Sequence, residues 1–159
     1  DPDPDPEAQR LGAIVGRWRS EGHVVGSPPV PVTGTDVYEW APGGFFRVHH
    51  VDVTVGDRPV RAIEIIGEPD GEGGYLARSH DSDGNAEVMH LRIDDDGVFH
   101  FAGGGEIAPA AQPQAAPTAR VRSTLTVAGD RASMAARWER SEDGTPWQPW
   151  MDIAFTRDE

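Results

Sequence analysis

Turn signals recur along this chain about every 8–12 residues, the spacing of a β-sandwich or barrel and not of helices. They are Pro42-Gly43-Gly44, Gly56-Asp57, Asp70-Gly71, Asp83-Gly84, Asp96-Gly97, Gly129-Asp130 and Asp143-Gly144. The runs between them are rich in Val, Ile, Thr and aromatic residues, which suit a pleated, half-buried surface. About ten strands are expected, near 16–25, 34–41, 44–55, 59–67, 74–81, 86–93, 98–103, 119–127, 132–140 and 147–157. Tight hairpins join most of them, so the pattern predicts an all-β, single up-and-down antiparallel barrel. Residues 104–118, rich in Ala, Pro, Gln and Gly, read as one long loop. Alternating Pro in Asp1-Pro2-Asp3-Pro4-Asp5-Pro6 removes donors and favours extended backbone, so residues 1–6 read as a disordered tail. Residues 7–15 read as a short helical cap, and 7–159 as one domain.

The chain has 159 residues, enough for a real core, and no Cys, which excludes disulfides and thiolate metal sites. All 14 basic residues are Arg and the net charge is -13. An acidic surface repels phosphate backbones, so no nucleic-acid partner is expected. No apolar run approaches the ~20 residues of a membrane span, and no signal-peptide core is visible, so a cytoplasmic location is expected. A processed, exported form and a homodimer both stay open.

Period-two alternation assigns faces. In the last strands Val121, Leu125, Val127, Met134, Ala136, Trp138, Met151, Ile153 and Phe155 share the inward parity. With a loop at 41–44, Trp40 pairs with Phe45 and Tyr38 with Arg47. With Gly56-Asp57 heading the next hairpin, His49 faces Glu64 and Asp52 faces Arg61. Tyr38, Trp40, Arg47, His49 and Glu64 then point inward. A carboxylate beside a histidine in a low-dielectric cavity can serve as a general base or orient a ligand. The same pair can also be a buried contact that only fixes register, and reversed parity would put both residues outside. Between 74 and 103 the apolar content is nearly even on the two faces. The aromatic face is taken as inward, which adds His90 and Arg92 to the cavity, against surface positions for both.

Metal chemistry finds little support. No His-x-His or His-Glu-x-x-His occurs, and His49 and His50, as strand neighbours, point apart. Asp81-Ser82-Asp83-Gly84-Asn85 resembles the start of a calcium loop but lacks its closing Glu, and reads as a hairpin turn. Ser79-His80-Asp81 alternates across a strand and is no triad. Trp147-Gln148-Pro149-Trp150 offers a rim clamp for a planar ligand, or simple packing.

Two ends of the chain carry a family resemblance. Leu11-Gly12-Ala13-Ile14-Val15 leads into Gly16-Arg17-Trp18, and Asp152-Ile153-Ala154-Phe155-Thr156-Arg157 closes the last strand. Arg157 shares the inward parity of Phe155. This resembles calycin-type barrels, lipocalins and their bacterial lipocalin-like relatives. The resemblance implies that Trp18 plugs one barrel end with Arg157 packed over it, and that a small apolar molecule occupies the cavity. The opening is also distantly similar to that of nitrobindin, whose haem is ligated by a C-terminal histidine. Here the last histidine is His100, a departure that argues against haem, so no cofactor is expected. The expected function is binding of a small, largely apolar ligand. The ligand contacts would be Tyr38, Trp40, Arg47, His90, Arg92 and Trp138. The alternative is a small barrel enzyme, an isomerase, cyclase or hydrolase, with His49 and Glu64 as its catalytic pair.

Overall fold

The computed structural model describes residues 10–103, 120–142 and 145–158. The expected tail and the 104–118 loop lie outside these residues. A 3₁₀ turn, Leu11–Ile14, precedes ten strands: β1 (Gly16–Val24), β2 (Val30–Trp40), β3 (Arg47–Val55), β4 (Arg58–Pro69), β5 (Tyr75–Asp81), β6 (Ala86–Ile93), β7 (Phe99–Gly103), β8 (Arg120–Val127), β9 (Ser133–Ser141) and β10 (Gln148–Arg157). Each strand pairs antiparallel with the next, and β1 closes on β10, so the sheet is one up-and-down barrel. No helix among the described residues is long and apolar enough to cross a membrane.

Register explains which expectations held. His49 lies opposite Glu64 and Asp52 opposite Arg61, because Gly56-Asp57 forms a two-residue turn with Gly56 at φ 65°. Between β2 and β3 the connection is longer than expected, running from 41 to 46. Tyr38 therefore faces His49 and Trp40 faces Arg47. That slip of two residues preserves every face.

Strand β6 is different, and its inward face is the reverse of the one expected. Met89 and Leu91 point in, while His90 and Arg92 point out. The turn Ser82-Asp83-Gly84-Asn85 is not a two-residue hairpin. Asp81 N–H donates to Asn85 O at 3.0 Å and Gly84 N–H to Asp81 O at 3.1 Å. Asp81 Oδ1 accepts from the N–H groups of Asp83 and Asn85. Gly84, at φ 87°, supplies the left-handed residue of this bulged loop. The extra residue inverts β6. Asp94-Asp95-Asp96-Gly97-Val98 repeats the device and inverts the next strand again. Phe99 and Phe101 therefore face inward as expected.

The barrel end beneath the 3₁₀ turn is filled. Leu11, Ile14, Trp18, Arg47, Ile66, Leu91 and Phe99 are at most 1% exposed. Trp18 Nε1 donates to Ile14 O at 2.9 Å. The Arg157 guanidinium lies 4.2 Å over the Trp18 ring and donates from Nη1 to Val15 O at 3.0 Å. Trp18 and Arg157 are direct partners in the β1–β10 ladder.

Candidate functional site

Five strands bring one row of inward-facing residues into register: Tyr38 on β2, His49 on β3, Glu64 on β4, Ser79 on β5 and Glu87 on β6. Asp36, two residues before Tyr38 on β2, joins the row from one level further into the barrel, toward the other end. Ser20 on β1 has the same inward parity as Trp18. Gly34, beside Ser20, lets β2 pass close to β3. A Cβ there would sit 2.2 Å from Asp52 O.

At the centre His49 is clamped between two carboxylates. It donates from Nε2 to Asp36 Oδ1 at 2.7 Å and from Nδ1 to Glu64 Oε1 at 2.9 Å. Ser20 Oγ donates to Asp36 Oδ2. Tyr38 stacks on the imidazole with ring centroids 3.8 Å apart and an interplanar angle of 12°. All five of these side chains are buried.

Burial works against a charge on His49, but the hydrogen bonds and charges of Asp36 and Glu64 outweigh it, and its pKa is pushed up to about 9. The ring is therefore an imidazolium at neutral pH, with both N–H groups engaged. Neither nitrogen offers a lone pair to a substrate proton or a metal. Burial, then the charges of Asp36 and Glu64, holds the Tyr38 phenol well above its ordinary range.

The other expected site residues are dispersed. Arg47 is inward but belongs to the filled end. It stacks 3.3 Å over the Trp40 ring, and burial lowers its pKa to about 10 against the influence of Tyr75. Trp40 is 40% exposed and flanks the plug beside Gly12, so it does not line the lumen. Trp138 is half-buried on the inward face, with its ring edge-on to Trp150 at 6.0 Å. Trp147 packs on the outward Arg122 at 4.2 Å, so Trp147 and Trp150 form no clamp. His90 and Arg92 line an outer groove of about 650 Å³, where His90 Nδ1 approaches Asp70 Oδ2 at 3.5 Å. Their expected place in the cavity is corrected by the bulged turn before β6.

Asp36, Ser20 and Glu87 were not singled out from sequence. The signal for Asp36 was present, since it alternates in step with the inward Tyr38. Ser20 likewise keeps step with Trp18. Glu87 was hidden by the inverted face of β6.

Among the described residues, burial of the inward face is less complete at the end away from Trp18. In a closed barrel, inward parity normally means burial. Yet Val51, Val55, Val60, Ala62, Val121 and Met151 are only half-buried, and Glu87 is exposed. Val32 and Val53, on the same inward face, are buried.

These features define a ten-stranded up-and-down barrel with one plugged end and a buried charged centre. No protein-family model and no curated protein matches the chain. Solved structures do match its fold. The crystal structure of Rv2717c from M. tuberculosis superposes with a TM-score of 0.68 at 15% identity, covering 99% of this chain and 100% of that one. The S-type phycobiliprotein lyase from Guillardia theta gives a TM-score of 0.60 at 11% identity, covering 96% of this chain and 93% of that one. At these identities the likeness is one of fold.

Proposed function

We propose that the barrel binds a small, largely apolar molecule in the open half of its lumen, above the Asp36–His49–Glu64 cluster. The observation that carries this is the partial exposure of inward-facing Val51, Ala62 and Met151. A core built only for stability would bury them. The wall is valine-rich, Trp138 supplies an aromatic surface, and a few polar groups converge at the floor, the usual make-up of a small-molecule site. A Guillardia theta protein of similar fold is named a phycobiliprotein lyase, so the architecture suits binding or catalysis. The fully engaged imidazolium favours binding, because a general base needs a free nitrogen.

Tryptophan fluorescence tests the reading. Apolar ligands should quench saturably, and Trp138→Phe should remove most of the response while Trp147→Phe preserves it. Absence of quenching across a broad panel, with no small molecule co-purifying in native mass spectrometry, would overturn it.

A further inference from the structure

Among the described residues, Arg140 Nε is a buried side-chain donor with no hydrogen-bond partner. Arg140 follows Trp138 on the inward parity of β9 and lies opposite Val121 of β8. Gln148, its ladder partner on β10, is exposed. A register shift in β10 between Pro149 and Met151 brings Trp150 into the same cluster. The Arg140 guanidinium carbon lies 5.5 Å from the Trp150 ring, and Trp150 meets Trp138 edge-on at 6.0 Å. Two indoles and a valine therefore flank Arg140, and none of their side chains can accept a hydrogen bond. A buried donor so placed is costly until an acceptor reaches it.

The charge of Arg140 is a separate matter, because it is already answered. Nη2 forms an ion pair with Glu142 Oε1 at 2.9 Å, just beyond the end of β9. An anion at Nε would bring a charge that this pair does not need. It would also meet carboxylates of inward parity. Asp36 and Glu64 share one imidazolium, and Asp81 and Glu87 stand on the same face. A cation at Nε would face the guanidinium itself. A neutral acceptor escapes both penalties. A carbonyl oxygen matches a single N–H and adds no donor that would need a partner among indoles and valine.

We propose that the ligand of the lumen is a neutral carbonyl compound, whose oxygen accepts from Arg140 Nε while its apolar body lies against Trp138, Val121 and Met151. This rests on the lumen-binding reading above and names its ligand class. Met151 is the ladder partner of Trp138, and all three wall residues are only partly buried. The ligand covers that wall and supplies the acceptor that the protein does not.

Three molecules with one aromatic body separate the possibilities: 1-acetonaphthone, 1-ethylnaphthalene and 1-naphthoate. Their dissociation constants are measured by equilibrium dialysis at pH 7 and about 0.15 M salt, where long-range surface charge is screened. The ketone should bind about tenfold more tightly than the hydrocarbon, the worth of a hydrogen bond from a charged donor. The carboxylate should bind more weakly than the ketone. Arg140→Lys keeps the cation and puts a methylene where Nε stands. It should abolish the ketone's advantage and leave the hydrocarbon affinity unchanged. A second measurement needs no variant. In ¹H–¹⁵N spectra the Arg140 Nε–H signal should move further downfield with the ketone than with the hydrocarbon. Three results overturn the carbonyl assignment and leave lumen binding standing. They are equal or tighter binding of the hydrocarbon or carboxylate, an advantage that survives in Arg140→Lys, and an Nε–H signal that responds alike to both neutral molecules. No binding by any of the three overturns both.

Discussion

The two halves of the barrel interior use the same strands and the same alternation, yet they are finished differently. At the plugged end, Trp18, Arg47, Ile66, Leu91 and Phe99 fill the space, and the 3₁₀ turn adds Leu11 and Ile14. In the opposite half Val51, Val55, Val60, Ala62 and Met151 are only partly buried, although Val32 and Val53 beside them are buried. The Asp36–His49–Glu64 cluster lies at the boundary. The contrast places the tightest packing in one half, and the proposed ligand site is assigned to the other.

The largest expected effect is at the plug. Trp18→Ala should cost ~3–5 kcal/mol, as large aromatic truncations in cores do, measured by urea denaturation. A loss below ~0.5 kcal/mol, the range of a surface change, would erase the distinction between the halves.

The boundary cluster should come next, through pH. His49 holds its proton to about 9 when folded, against an ordinary 6.5. Its contribution is therefore complete below pH 6.5 and is lost as pH rises through about 9. The raised pKa corresponds to about 3 kcal/mol. Denaturant midpoints measured between pH 6 and 10 should fall across that window. In His49→Gln the fall should be absent, and an unchanged slope in that variant would show that another group titrates.

The open half should respond weakly. Trp138→Ala is expected to cost less than ~1.5 kcal/mol, because the half-exposed ring leaves little of a cavity penalty. A loss equal to that of Trp18→Ala would mean that both halves are core. Smallest of all, Glu87→Gln should change stability by no more than ~0.5 kcal/mol, as surface substitutions do. A slight gain is the expected sign, since it removes one of several like charges. Thermal melts of the two proteins side by side provide the check.

Much of this was legible in the sequence, and the failures have a common physical source. Strand positions follow from composition and turn residues, and the plug pair Trp18 and Arg157 from the two chain segments that carry them. The His49–Glu64 pairing follows from a two-residue turn at Gly56-Asp57. The β2–β3 connection is two residues longer than a 41–44 loop predicts, which changes partners and spares faces. The β5–β6 turn shifts the register by one from that of a two-residue hairpin, which turns Met89 and Leu91 inward in place of His90 and Arg92. What distinguishes a bulged five-residue Asp-x-Asp-Gly-x turn from a tight Asp-Gly hairpin is the first aspartate, whose side chain caps two later N–H groups. The Asp36 contact with His49 could not be read from pairing alone, because it joins side chains one step diagonal in the sheet.

Closure of β1 on β10 has a consequence for self-association. Among the described residues the ring of ladders leaves no strand with an unpaired edge, so the barrel wall itself cannot grow by adding a strand from another copy. A homodimer through the barrel wall would instead use side chains on its outer face. The exposed Ile63 and Ile65 of β4 project there beside Val48 of β3. An association of that kind would be side-on, leaving the mouth of each lumen facing water.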